Sequence, residues 1–386
     1  VCSIGGEIDY NSLLSVSDYH RAMVASMKRR GPDSDGIYED DNAILLHARL
    51  AVIDVENGKQ PMTAFYRDET YTIVYNGEIY NTCELRKKLE QNGITLRTKS
   101  DTEVVLMLYA LYGEKCVDML NGIFAFAVWE KRAKRLFAAR DKMGVKPFFY
   151  NLEDKRLVFA SEIKSILLHP EIRAVADIKS IAELMLIGPG RTPGYGVFKG
   201  INELKRGHYL YYTKDGLTTK CYWDVSGQKH TDSKDQTIEK VRFLVKDAIE
   251  RQLVSDVPIG TFLSGGLDSS IISSVAASYM KRRGQKLTTF SVTYRDNDKY
   301  FKKSKFQPNS DEIYIDIMQK YLDSDHHLVT IDTPELAQAL FKAVDARDLP
   351  GMADVDSSLL LFCGEIKKHV TVALSGECAD ELTHTC

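Results

Sequence analysis

Apolar and polar positions alternate in short runs along the first half of the chain. Ala43–Leu50, Thr70–Asn76, Phe124–Trp129, Arg135–Asp141 and His208–Thr213 set β-branched, aromatic and apolar residues at near period two, which predicts strands. Helical spacing interrupts them at Asp18–Lys28, Cys83–Gln91, Thr102–Tyr112 and Ile178–Leu186. Antiparallel strands with a few packed helices predict an α+β sandwich over residues 2–226.

The rhythm changes after a polar stretch, Gly227–Gln236, which has no apolar period and reads as a linker. Beyond it, helices and buried strands alternate: helix Thr237–Leu253, strand Ile259–Leu263, helix Ser269–Met280, strand Thr288–Thr293 and helix Asp311–Tyr321. The series continues with strand His327–Ile331, helices Pro334–Val344 and Ser357–Lys367, and strand Val370–Leu374. That order predicts an α/β doubly wound parallel sheet over 237–386, with ligands at the carboxyl ends of its strands. No internal repeat or low-complexity tract breaks the pattern.

Bulk properties narrow the function classes. The chain has 386 residues, 44% hydrophobic and 27% charged, which fits a globular protein of two domains. Its net charge of −3, from 51 basic and 54 acidic residues, leaves no footprint for nucleic acid. The Lys281–Arg283 cluster reads as a solvated helix end. The longest apolar stretch, near Gly122–Trp129, is too short for a membrane span, and no secretory signal opens the chain. Seven cysteines, none in a C-x-x-C pair, predict neither a zinc site nor a disulfide framework and favour the cytoplasm.

Cys2 heads a series of short motifs: Arg30–Asp33, His47–Leu50, Asn76–Asn81, Ser100–Glu103, Ala139–Asp141 and Gly144–Pro147. Singly, each has a plain structural reading. Asn76-Gly77 is a common hairpin turn, Arg49 could pair with an acid on a surface strand, and Ser100 or Asp101 could cap a helix. His47, two residues from Arg49, reads as a packed strand histidine rather than a base.

In their order and spacing, these motifs resemble the class II glutamine amidotransferases, the N-terminal-nucleophile group. The resemblance implies that Cys2 is the nucleophile and its free α-amine the base. It gives Asn76 and the Gly77 N–H an oxyanion hole, Arg49 the α-carboxylate of glutamine, and Glu78 and Asp101 its ammonium group. Leu50, Ala51, Val52 and Ile53 complete the implied glutamine site. Val1 precedes Cys2 and must be removed to free that amine.

A second centre follows strand Ile259–Leu263, where Ser264-Gly265-Gly266-Leu267-Asp268-Ser269-Ser270 runs into a helix. Paired glycines and a helix N-terminus suit an anion, although serine or aspartate capping alone is the plainer alternative. The loop resembles that of the PP-loop ATP pyrophosphatases, of adenine-nucleotide hydrolase-like fold. With Ser255–Gly260 and Ala373–Glu381, it looks like that of the asparagine synthetases. The resemblance implies ATP bound by Leu263–Ser270, Val292, Ser375 and Gly376, with Asp268 and Asp380 on Mg²⁺ and Glu377 beside an aspartyl-adenylate.

The expected partners are therefore glutamine, aspartate and ATP, with no nucleic acid and no membrane; a homodimer is compatible. The expected reaction converts aspartate to asparagine with release of AMP and pyrophosphate, using ammonia that travels inside the protein. Cys378 and Thr383–Cys386 depart from the family pattern, so the sequence reads as shortened at its C-terminal end. A glutaminase-only or non-catalytic remnant, or a β-lactam synthetase-like enzyme, is the alternative. Amidotransferases of amino-sugar or purine synthesis lack Ser264–Ser270.

Overall fold

Every other residue of a strand faces the same way, and in the first unit, residues 1–228, both faces are covered. The structure, a computed structural model, describes residues 2–300 and 311–379. In chain order the first unit runs β1 (Ser3–Asp9), α1 (Asp18–Met27), β2 (Ser34–Asp40), β3 (Ala43–Arg49), β4 (Met62–Tyr66) and β5 (Glu69–Ile79). It continues with α2 (Thr82–Gln91), α3 (Asp101–Tyr112), α4 (Cys116–Met119), β6 (Gly122–Glu130), β7 (Arg135–Arg140), β8 (Phe149–Glu153) and β9 (Arg156–Ala160). It closes with α5 (Ile163–Ile166), α6 (Ile178–Leu186), β10 (Ile201–Glu203), β11 (His208–Thr213) and β12 (Gly216–Cys221).

Two antiparallel sheets form, in the orders β10-β8-β9-β1-β3-β2 and β12-β11-β7-β6-β5-β4. Between them lie Ile4, Ile8, Leu45, Val74, Ala127, Trp129, Leu136 and Phe159, all fully buried. Each large side chain there contributes roughly 1.5–3 kcal/mol by leaving water. The outer face of the second sheet is covered by α2 and α3 through Leu85, Leu89, Val105 and Leu108. On the first sheet, α1 packs against β1 and β3, and α5 against β9. The result is a four-layer sandwich of two sheets between helices.

β1 starts beside Cys2 and is anchored by an internal carboxylate. Glu7 accepts from His20 Nε2 at 2.8 Å and from the Tyr19 hydroxyl, and His169 Nε2 stands 3.5 Å away. Burial pushes the Glu7 pKa up, but the bonds from His169, His20 and Tyr19 outweigh it and bring it down to about 2.

The second unit, residues 229–386, contains α7 (Lys234–Arg251), β13 (Ile259–Phe262), α8 (Leu267–Lys281), β14 (Thr288–Tyr294) and α9 (Asn297–Tyr300). After these come α10 (Glu312–Leu322), β15 (Asp325–Ile331), α11 (Thr333–Arg347), α12 (Ala353–Ile366) and β16 (Val372–Leu374). Its sheet is parallel in the order β15-β14-β13-β16, so the direction of winding reverses between β13 and β16. Ile249, Ala276 and Met280 cover one face, and Phe362 and Ile366 the other. Loops leaving the carboxyl ends of β13 and β16 therefore converge, the usual ligand position in such sheets.

Several expected elements shift. α7 begins inside the stretch read as a linker, because Ser233 and Gln236 form a reciprocal cap: Gln236 N–H donates to Ser233 Oγ and Ser233 N–H to Gln236 Oε1. β1, β2, β4, β8, β9, β10 and β12 add strands to those expected. The β4–β5 and β8–β9 turns are Arg67-Asp68 and Asp154-Lys155, with all four residues at positive φ, and no glycine marks them. Asn76-Gly77 is not a hairpin turn; it lies inside β5. No described helix is long and apolar enough to cross a membrane.

Candidate functional sites

The edge of β5 makes the first site. β4 pairs with β5 only as far as Ile73, leaving the rest of that edge open. Opposite Gly77, Phe124 donates its N–H to Asp141 Oδ2 at 3.2 Å, and its carbonyl accepts from Asp141 N at 2.8 Å, both towards β7. The alternation of an antiparallel ladder then turns the Gly77 N–H to the open edge, along with those of Tyr75 and Ile79. Tyr75 N–H is taken by Gln60 Oε1 at 2.6 Å and Ile79 N–H by Asp101 Oδ2 at 3.2 Å. Gly77 N–H lies between these two satisfied neighbours and faces a small pocket.

Cys2, Arg49, Leu50, Val52, Ile53, Gln60, Gly77, Glu78 and Asp101 line that pocket, which holds about 30 Å³. Cys2 Sγ sits against the Leu50 backbone, accepting from its N–H at 3.4 Å. Burial pushes the thiol pKa up, only partly opposed by that bond. Arg30 Nε donates to the Cys2 carbonyl at 3.3 Å. Of the expected residues, Ala51 and Asn76 are not part of the wall. Asn76 is fully buried, and among the described residues neither amide atom of its side chain has a hydrogen-bond partner. A buried carboxamide left unpaired is costly and demands an explanation.

Arg49 does not lie on the surface beside an acid. It is buried, and its guanidinium donates to the carbonyls of Val55 and Asp54, both at 2.7 Å, and of Ile53 at 3.3 Å. These bonds fold residues 50–58 over the pocket and leave part of the fork uncommitted. Asp101 is the first residue of α3, and Ser100 is its cap, accepting from Thr102 N at 3.1 Å. Asp101 Oδ2 also accepts from the Tyr75 hydroxyl at 2.7 Å. Burial raises its pKa despite these donors. Burial, and then the charge of Asp101, push Glu78 up to about 8, with Lys146 pulling the other way.

Lys146 itself is buried in a loop held by Asp141, whose carboxylate accepts from the N–H groups of Met143, Val145 and Lys146, each at 3.0 Å. Burial lowers its pKa. His47 is the packed strand histidine expected: fully buried, it donates from Nε2 to the Tyr75 carbonyl at 3.1 Å, and burial brings its pKa down to about 3. Gln60 and Lys146 are the site residues that motif reading missed. Gln60 has no chemical signature of its own, and Lys146 was noted only as part of Gly144–Pro147.

The second site follows β13. Gly265 has φ +80°, and a side chain there would meet Tyr314 and the Asp311 carbonyl at about 3 Å, so helix α10 closes against the loop. Gly266 caps α8 without any side-chain bond, which removes serine or aspartate capping as the reason for the motif. The serines instead brace the loop: Ser264 and Ser269 hydroxyls lie 2.9 Å apart, and Ser270 Oγ donates to the Gly266 carbonyl at 2.6 Å. After β16, Gly376 packs so closely on Asp268 that a Cβ would stand 3.0 Å from that of the aspartate.

An apolar pocket of about 280 Å³ opens beside the loop, lined by Phe262, Leu263, Ser264, Val292, Phe362 and Glu377 among others. Gly265, Gly266, Leu267, Asp268, Ser269, Ser270, Ser375 and Gly376 are not part of its wall. The backbone of Leu263 is already engaged, its N–H with the Phe290 carbonyl at 2.8 Å and its carbonyl with the Ser291 hydroxyl. Asp380 lies outside the described residues. Among the described residues, no group of three or more His, Cys, Asp or Glu side chains could hold a metal ion.

Comparison with known proteins gives both halves a family. Residues 1–223 match the glutamine amidotransferase domain, and residues 240–385 match asparagine synthase. The chain is 50% identical to asparagine synthetase [glutamine-hydrolyzing] 3 of Bacillus subtilis over 99% of its own length and 62% of that protein's. It is 35% identical to asparagine synthetase [glutamine-hydrolyzing] 1 of the same organism, again over 99% of this chain and 58% of the relative. Asparagine synthetase B of Escherichia coli is 34% identical over 73% of this chain and 46% of its own. The chain thus spans about three fifths of the length of the first two relatives. A two-sheet sandwich opening at Cys2 and a serine-glycine loop on a parallel sheet, matched in both halves, make the chain a member of the glutamine-hydrolysing asparagine synthetase family.

Proposed function

We propose that the first unit hydrolyses glutamine at Cys2 and that the second activates aspartate with ATP for amination to asparagine. The observation carrying the first half is the unpaired, fully buried carboxamide of Asn76 beside the edge-facing N–H of Gly77. Two donors side by side on β5, without acceptors among the described residues, suit an oxygen that becomes negative only during reaction.

In this reading Cys2 Sγ forms a bond to the carboxamide carbon of glutamine while the C=O π pair moves to the oxygen held by Asn76 Nδ2 and Gly77 N–H, and that pair returns as the C–N bond breaks. The thiol proton passes through the Cys2 α-amine to the departing ammonia, and water then cleaves the thioester to glutamate. Arg49 receives the α-carboxylate with the donors not spent on its loop, and Glu78 and Asp101 receive the ammonium. This requires Cys2 to be the first residue of the working enzyme, which N-terminal sequencing checks.

In the second unit, Ser264–Ser270, Ser375 and Gly376 hold the phosphates of ATP, and Leu263 and Val292 border the nucleotide. Aspartate attacks the α-phosphorus, pyrophosphate leaves, and ammonia displaces AMP from the acyl-adenylate near Glu377. Asp268 offers a hard oxygen suited to Mg²⁺, which would neutralise phosphate charge. Reduced cytoplasm is the proposed setting, supported by the free thiols of Cys2, Cys83, Cys116, Cys221, Cys363 and Cys378. A homodimer, checked by light scattering, is the proposed assembly.

The test supplies the chain with glutamine, then with glutamine, aspartate, ATP and Mg²⁺, and quantifies glutamate, pyrophosphate and asparagine. Glutamate from the first mixture and all three products from the second are expected. A chain that releases no glutamate from glutamine sinks the reading of the first site.

A further inference from the structure

We infer that Gln60 is a positioning residue for the oxyanion donors, acting as a one-residue substitute for a missing strand. The inference rests on the glutaminase reading of the Cys2 site. Beyond Ile73 the edge of β5 has no neighbouring strand among the described residues, yet the donors Asn76 and Gly77 lie on that stretch. Gln60 fills the gap with a side chain. Its Oε1 accepts from Tyr75 N at 2.6 Å and its Nε2 donates to Tyr75 O at 3.1 Å, the two-point pairing a backbone peptide would make. The same Nε2 reaches Thr102 Oγ1 at 3.2 Å, tying the edge to the first turn of α3.

The clamp is itself fixed. Gln60 is buried, and its carbonyl stands 2.3 Å from where a Cβ on Gly36 would be, so β2 and the Gln60 backbone pack without room to slide. Residues of one strand edge recur about every 6.6 Å, so the Gly77 N–H hangs between two holds, Gln60 on Tyr75 and Asp101 on Ile79. β6 still pairs with β5 along this stretch. Without the first hold, however, the Tyr75 N–H on the open edge loses its partner, the local peptides are free to tilt, and the donors beside them shift from the oxygen they serve. His47 also donates to the Tyr75 carbonyl, but it offers nothing to the Tyr75 N–H. Only a planar group that accepts and donates together can do both, which is why a carboxamide stands here.

An oxyanion contact is made only in the transition state, so its loss lowers kcat rather than raising KM. The test compares Gln60→Met, which keeps the volume, and Gln60→Glu with the parent chain in glutamate release. Iodoacetamide alkylation of Cys2 runs in parallel as a measure of an intact pocket. For Gln60→Met, kcat should fall about 100-fold, as a small misplacement of reacting groups does, with KM for glutamine changed less than about 3-fold. Cys2 alkylation should keep the parent rate.

Gln60→Glu adds a readout that a purely structural role would not move. A protonated carboxyl can accept and donate like the amide, whereas the carboxylate only accepts. The ratio of variant to parent kcat should therefore fall as pH rises from about 6 to about 9, approaching 10-fold per unit once the carboxyl is mostly ionised. A constant ratio, an unchanged kcat in Gln60→Met, or kcat and alkylation lost together in both variants would overturn the inference. A parent chain that releases no glutamate would remove the glutaminase reading and this inference with it, whereas an active parent with unaffected variants removes the inference alone.

Discussion

The two sites solve the problem of charge in opposite ways. Around Cys2 the groups are buried: Arg49, Asn76 and Asp101 are hidden, and burial raises the pKa values of Glu78, Asp101 and the thiol. Around the β13 loop, Ser264, Gly266, Leu267, Ser375 and Glu377 are exposed, with close packing at Gly265 against α10 and at Gly376 against Asp268. A small zwitterion whose amide must be attacked away from bulk water suits a cramped pocket cut into a core. A polyphosphate with its counter-ion suits an open loop of hydroxyls and N–H groups. The first site is part of the folding core, so its chemistry and its stability are linked; the second can be altered with less effect on its unit.

The sharpest way to break this comparison is Cys2→Ala. Glutamate release should fall by more than about 10⁴-fold, as loss of a covalent nucleophile does, while ATP–pyrophosphate exchange is kept. Assaying both on one preparation decides it, and surviving glutaminase activity would exclude Cys2 as nucleophile. Asn76→Ala should lower kcat for glutamine by about 10²–10³-fold with little change in KM, and it should also remove an unpaired buried amide. A melting temperature equal to or above the parent's, together with the lost rate, is the expected signature.

Asp268→Asn tests the open site. Exchange of pyrophosphate into ATP should drop on the order of 100-fold, since a neutral amide is a poor ligand for Mg²⁺, while glutamate release stays level. Parallel loss of both activities would contradict the independence argued above. Arg49→Lys should raise KM for glutamine about 10-fold or more, because an ammonium cannot both hold three loop carbonyls and grip a carboxylate. Kinetics unchanged within error would reduce Arg49 to a loop brace.

The smallest effect is on pH. Glu78 must be ionised to hold an ammonium group, and its pKa stands at about 8 in the folded protein. Below that value it is mostly neutral, so kcat/KM for glutamine should climb as pH rises through about 8, and Glu78→Gln should flatten that limb. A parent profile already level between pH 6 and 9 would show that the substrate ammonium is held elsewhere.

How much of this was legible in the sequence differs by residue. Strands with apolar alternation, such as His208–Thr213, were plain. β1 was not, because its Gly5-Gly6 pair hides the pattern; a Cβ on Gly6 would lie 2.5 Å from the Ile44 carbonyl. β8 and β9 were hidden by a turn that uses Asp154 and Lys155 at positive φ where glycine or asparagine is the usual sign. Cys2, Arg49, Glu78 and the serine-glycine loop could be picked out because they stand in short motifs that resemble known families, and Cys2, Arg49 and Glu78 do line one pocket. Gln60 was not, since it bonds a backbone 15 residues away and a hydroxyl 42 residues away, and those meetings exist solely in three dimensions.

Gly77 sets a boundary on how far this protein can be remade. A methyl group there would collide with the Ile123 carbonyl at 2.5 Å and the Phe124 backbone at 2.8 Å, so any other residue parts β5 from β6. In a library of variants selected for a new amide donor, position 77 should return only the parent residue, because alternatives vanish at the folding step before activity is ever scored. Room for inventing a new preference lies instead at Val52 and Ile53, which border the same pocket from a loop outside the ladder. An evolutionary path towards another substrate would run through those two positions.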